Sequence, residues 1–110
     1  MEMRKRELGE EHLNTLTSMD NIAFTYNKQE RWDEAEVLYV QVMETKKKVL
    51  GKEHLSTLTS MGLTAATYAK QGRWKEAEVL TLQVMETRKR LRDAAYLQRY
   101  LFVQWNHKRY

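Results

Sequence analysis

Apolar side chains at Leu13, Leu16, Met19, Ile22, Ala23 and Tyr26 recur at the spacing of one face of a helix, not with the alternation of a strand. They predict an amphipathic helix over 13–29. A second stripe, Trp32, Ala35, Val37, Leu38, Val42 and Val49, predicts another over 32–50, with Asp33 and Glu34 in its first turn, where carboxylates suit the positive end of the helix dipole. The break at Gln29-Glu30-Arg31 leaves room only for a tight turn. The same phase returns at Leu55, Leu58, Met61, Ala65 and Tyr68, and again at Trp74, Ala77, Leu80 and Val84. Between those two stripes, Gly72 stands where a left-handed helix C-cap is expected.

The residues themselves recur as well. Residues 9–50 and 51–92 share 27 identities over 42 aligned positions, without insertion. A fixed period of this size means one supersecondary unit stacked on copies of itself, each hiding the apolar face its neighbour leaves wet. The frame extends backward, because residues 1–8 align with 43–50 and 85–92. The chain therefore divides into the end of a truncated preceding repeat (1–8), repeat 1 (9–50), repeat 2 (51–92) and a non-repeating segment (93–110).

Composition narrows the class. One domain's worth of chain, 110 residues, contains no cysteine, so neither disulfides nor thiolate metal sites are available. No apolar run is long enough to span a bilayer, and the charged start lacks the apolar stretch of a signal peptide, so a soluble, intracellular, cytoplasmic protein is expected. The net charge of +4 is small beside 31 % charged residues, so any basic patch must come from placement.

Ile22-Ala23, Tyr26, Gln29, Arg31-Trp32, Glu34-Ala35 and Tyr39 resemble the tetratricopeptide motif, and Ala65, Tyr68, Gln71-Gly72-Arg73-Trp74 and Glu76-Ala77 repeat the match. That family's usual period is 34 residues. The period of 42, with Leu-Gly-x-Glu-His, Thr-Leu-Thr-Ser-Met and Gln-x-Arg-Trp-x-Glu-Ala-Glu, is similar to the repeats of kinesin light chains and still more to those at the ends of fungal nucleotide-binding receptor proteins. The resemblance covers residues 1–92. It implies an all-α, right-handed solenoid of helical hairpins, here with an extra C-terminal helix.

One departure is systematic. The related repeats usually place proline after the histidine, whereas this chain has Leu13 and Leu55 and no proline anywhere. Proline starts a helix and discourages helix in the residue before it, so its loss removes the stop between repeats. The segment from Lys46 through Leu55 is accordingly expected to be able to become helical, with Gly51 as its weak point. A fused helix would let hairpins exchange between chains. Together with the mid-repeat start, this suggests deliberate substitution, as in an engineered scaffold.

The tail carries Ala94, Leu97, Leu101 and Trp105 on one helical face and Tyr100, Phe102 and Val103 around it. With no glycine at position 93, a helix can run from Trp74 straight into it, or Asp93 can cap a new one. It is expected either to cover the open end of repeat 2 or to form a contact between chains. The self-association candidates are Leu13, Leu55, Leu97, Leu101, Phe102 and Trp105.

Candidate chemistry is sparse. His12 and His54 are equivalent, one repeat apart, and packed helices lie roughly 8–10 Å from each other, too far to share a metal ion. Glu34 with Glu36, and Glu76 with Glu78, are two residues apart on a helix and do not face each other as an acid–base pair requires. No nucleophile elbow or glycine-rich phosphate loop is present. No catalysis, cofactor or metal is expected.

The triplets Arg4-Lys5-Arg6, Lys46-Lys47-Lys48 and Arg88-Lys89-Arg90 share a phase. Stacking would align them as a basic ridge. Cations suit helix C-termini, which is the simpler explanation, and a nucleic-acid surface is a distant alternative. The resemblance also implies a concave peptide groove lined by Thr17, Asp20, Phe24, Asn27 and Lys28 and by Thr59, Gly62, Ala66, Ala69 and Lys70. Asp20, Gly62, Phe24 and Ala66 stand where a carboxylate clamp would need lysine and asparagine, so an apolar or helical ligand fits better. The expected function is a non-catalytic module that binds a protein or peptide in this groove, associates with itself, or both, with a homo-oligomeric scaffold as the alternative.

Overall fold

The structure, a computed structural model, describes the backbone of residues 2–109 and the side chains of residues 13–108. Four helices follow one another: α1 (Glu2–Lys28), α2 (Trp32–Val49), α3 (Leu55–Lys70) and α4 (Trp74–Arg109), with no strand among the described residues. Each packs on the next in chain order.

Two cores result. Ala23 of α1, Ala35 and Tyr39 of α2 form the first, with Tyr26, Leu38 and Leu63 of α3 against it. Met43 of α2, Leu58, Met61 and Ala65 of α3 and Leu80 and Val84 of α4 form the second. The stripes read from the sequence supply these residues, but Leu13, Ile22, Val37, Val49, Leu55 and Trp74 are exposed. A stripe wide enough to meet two neighbours is only half covered at the ends of an array.

The turns within the hairpins are alike. Gly72 sits at φ 79°, and Glu30, its copy, takes the same left-handed conformation at φ 61°. The Arg31 N–H donates to the Tyr26 carbonyl at 2.9 Å and the Arg73 N–H to the Tyr68 carbonyl at 2.8 Å, closing both helix ends.

The junctions between repeats differ. Residues 9–13, Gly-Glu-Glu-His-Leu, lie inside α1, whereas in their copy, Gly-Lys-Glu-His-Leu, residues 51–54 form a turn and Leu55 opens α3. The expectation that Lys46 through Leu55 becomes helical is therefore corrected: the fused helix forms at the first junction, not the second. At the second, Gly51 takes φ 93°, the Leu50 and Gly51 N–H groups share the Lys46 carbonyl at 2.8 and 3.2 Å, and His54 Nδ1 caps α3 by accepting from Ser56 N–H at 3.1 Å. Turning there buries Met43 and Leu58 between α2 and α3. At the first junction α1 runs unbroken through Gly9, so its backbone bonds continue across the position where the second junction turns.

Past Arg92 the helix also continues. Asp93 caps nothing, and α4 reaches 36 residues, about 54 Å at 1.5 Å per residue. The expected cover over the end of repeat 2 does not form, since every described side chain from 93 to 105 is exposed. The radius of gyration of 18.3 Å accordingly exceeds the roughly 13 Å of a compact chain of this length.

Two outcomes follow. Glu30→Gly should stabilise the fold by about 1 kcal/mol in urea melts and Gly72→Glu should cost a similar amount, because only glycine takes positive φ without strain. Leu55→Pro, at the first residue of α3, should leave far-ultraviolet helicity unchanged, while Leu13→Pro, inside α1, should remove about ten residues of helix.

Candidate functional site

The groove positions do not all face the same way. Thr17, Phe24 and Lys28 on α1 and Thr59, Gly62, Ala66 and Lys70 on α3 are exposed. The Thr17 hydroxyl donates to the Leu13 carbonyl at 3.1 Å and that of Thr59 to the Leu55 carbonyl at 3.0 Å, so neither hydroxyl's proton is free for a ligand. Phe24 is the large apolar side chain on this face, with the Lys28 ammonium 4.9 Å from its ring centre. Lys70 sits 5.8 Å from the Trp32 ring, also within cation–π range.

Asp20 and Asn27 turn toward α2 instead. Asp20 meets Lys46 Nζ at 3.6 Å, and the Asn27 side chain lies within reach of the Tyr39 hydroxyl. Partial burial pushes the Asp20 carboxyl above its ordinary range, opposed by the Lys46 ammonium, and its Oδ1 is buried without a hydrogen-bond partner. Ala69 is half-buried. On this face Phe24 is a large exposed apolar side chain, and the position that copies it carries the smaller Ala66.

Among the described residues, the basic triplets 46–48 and 88–90 do not present all their cations free. Lys46 points inward to Asp20, Lys47 pairs with Glu44 at 3.7 Å, and Arg90 pairs with Glu53. Lys48, Arg88 and Lys89 are exposed, and the side chains of Arg4, Lys5 and Arg6 lie outside the described residues. Three consecutive helical residues span about 200°, so a triplet cannot keep one face.

Among the self-association candidates, Leu13 and Leu55 are exposed at the junctions, and Leu97, Leu101, Phe102 and Trp105 are exposed along the tail of α4. His54 caps a helix, His107 is exposed, and the side chain of His12 lies outside the described residues. No cluster of three or more metal-ligating side chains occurs among the described residues, and no helix among them is long and apolar enough to cross a membrane.

One further arrangement recurs in both copies. The Arg31 guanidinium lies 4.6 Å from the Tyr26 ring and pairs with Glu34, and Arg73 lies 4.3 Å from the Tyr68 ring and pairs with Glu76. Arg73 also reaches back to Glu36, and the Gln71 amide donates to Asp33 at 2.9 Å, so repeat 2 is tied to repeat 1. The recurrence of Tyr-x4-Arg-x2-Glu in both copies was the available signal. Its arginine lowers the Glu76 carboxyl below the ordinary range.

Lys46→Met should cost about 1–2 kcal/mol at neutral pH, because it leaves the Asp20 carboxylate half-buried and unpaired. An Asp whose folded pKa is raised destabilises the fold while charged. The loss should therefore shrink as pH falls through that raised pKa and vanish below the unfolded value, while Lys48→Met should change nothing. Urea melts over a pH series read both.

A family model of the tetratricopeptide repeat matches the chain twice, over residues 1–47 and 19–90. A search of curated proteins finds no match. Four helices in two copied hairpins, with the small Ala23, Ala35, Ala65 and Ala77 buried at their contacts, agree with that match. The chain belongs to the tetratricopeptide repeat family, whose repeats serve as protein–protein interaction modules.

Proposed function

We propose that this chain is a non-catalytic interaction module that acts by associating with copies of itself. One observation carries the reading. Seven large apolar side chains in the tail of α4, Tyr96, Leu97, Tyr100, Leu101, Phe102, Val103 and Trp105, are all more than half exposed, from 51 % at Tyr100 to 71 % at Tyr96. A contiguous apolar surface of this kind marks an interaction site. It surrounds the helix on several sides, so more than one neighbour has to cover it. The same surfaces would serve an engineered scaffold of defined size, and α1, fused through Gly9, is the element that would exchange in a helix-swapped form.

A second reading is favoured by Phe24. Exposed on α1 and faced in the copy by the smaller Ala66, it offers an apolar helix or peptide a place to anchor. Two repeats make a short groove, so affinity for an isolated peptide is weak unless chains assemble.

In sedimentation velocity, replacing Leu97, Leu101 and Phe102 together by aspartate should give a monomer of unchanged helicity. Oligomers that persist in this variant would contradict the tail's role. Phe24→Glu should leave the association intact while abolishing any peptide capture by the groove.

A further inference from the structure

The two ends of the array are copies of its buried middle. Thr57, Ser60, Thr64 and Thr67 form the face of α3 that lies on α2, and all four are essentially inaccessible. The Thr57 hydroxyl donates to the Lys46 carbonyl at 3.3 Å and that of Thr64 lies 3.5 Å from the Tyr39 carbonyl. Their counterparts on α1, Thr15, Ser18, Ile22 and Thr25, are all exposed, Ile22 at 48 % where Thr64 is at 0 %. At the other end, Met43 of α2 is 4 % exposed and its copy Met85 on α4 is 61 % exposed. Met85 lines a shallow depression with Leu82, Arg88 and Arg92.

We infer that these two faces bind each other between chains: the Leu82–Met85 face of α4 in one copy docks on the Thr15–Ile22 face of α1 in the next. This rests on the self-association reading and names its geometry. The internal α2–α3 contact is the template, and its substitutions at the ends are complementary. Where Tyr39 meets the smaller Thr64 inside the chain, the smaller Thr81 would meet Ile22 across it. Where Arg73 reaches back to Glu36, Arg31 would reach Glu78, which has no ion-pair partner among the described residues.

The template also fixes direction. Because α2 and α3 are antiparallel across the turn at 50–54, α4 and the next α1 run antiparallel too. The tail of α4 beyond Asp93 then lies beside residues 2–12 of the neighbour's α1. Both segments are helices fused across a repeat junction, and both project from the same edge of the molecule. The contact is head-to-tail, so it repeats until a ring closes or a filament grows.

The test uses two full-length variants with their helicity checked by circular dichroism. Ile22→Arg blocks the α1 face and Met85→Glu blocks the α4 face, and both positions are exposed, so folding is retained. Each variant alone should lose association by about tenfold or more in dissociation constant, and an equimolar mixture should form a 1:1 dimer. Neither variant should do so alone, because only the mixture holds one intact face of each kind. Pairing Glu78→Arg with Arg31→Glu across two such chains should strengthen that dimer over either change singly. Two results would overturn the geometry: variants that still associate alone, or a mixture that stays monomeric. If instead the unmodified chain never associates, the self-association reading itself falls.

Discussion

Everything in this molecule depends on the contact between α2 and α3. Two hairpins become one structure because α3 offers α2 a strip of small hydroxyl residues, Thr57, Ser60, Thr64 and Thr67, which let the helices approach while Tyr39, Met43 and Leu58 fill the space beside them. The Thr64 hydroxyl donates to the Ser60 carbonyl at 2.9 Å and that of Thr67 to the Leu63 carbonyl at 3.0 Å, while the Ser60 hydroxyl is buried without a hydrogen-bond partner, a cost the close approach of the two helices has to offset. Arg73 with Glu36 and Gln71 with Asp33 fix the register at the other end of the same contact.

That contact also explains why one pentapeptide has two conformations. At 51–54 a turn brings α3 back onto α2 and gains a whole buried face, enough to offset the lost helical bonds. At 9–13 the helix continues and keeps its backbone bonds. Glycine at roughly 1 kcal/mol below alanine in helix propensity is tolerated in the one place and used at positive φ in the other. The consequence is a chain whose two outermost helices keep the faces that repeats normally hide.

The hairpins were legible in the sequence because their apolar spacing repeats in phase twice, and Gly72 announced a turn whose left-handed residue Glu30 merely copies. The junctions were not, since Gly-x-Glu-His-Leu is compatible with helix and turn, and a tertiary gain decides between them. The groove was half legible. Family register placed Asp20 and Asn27 on it, but both sit at the edge of the face, where Lys46 and Tyr39 of α2 lie within reach. In the described basic triplets, Lys46, Lys47 and Arg90 are drawn to Asp20, Glu44 and Glu53, partners that the spacing of the triplets does not reveal. The fate of the tail depends on whether a surface for it exists, and a sequence repeat cannot report that.

The measurement that bears most directly on this account is the solution mass of the unmodified chain over a wide concentration range, by sedimentation equilibrium. The exposed faces of α1 and α4 predict an average mass that climbs above the 13.2 kDa of one chain as concentration rises. A mass that stays at 13.2 kDa throughout would mean that both faces remain in water, and would contradict it.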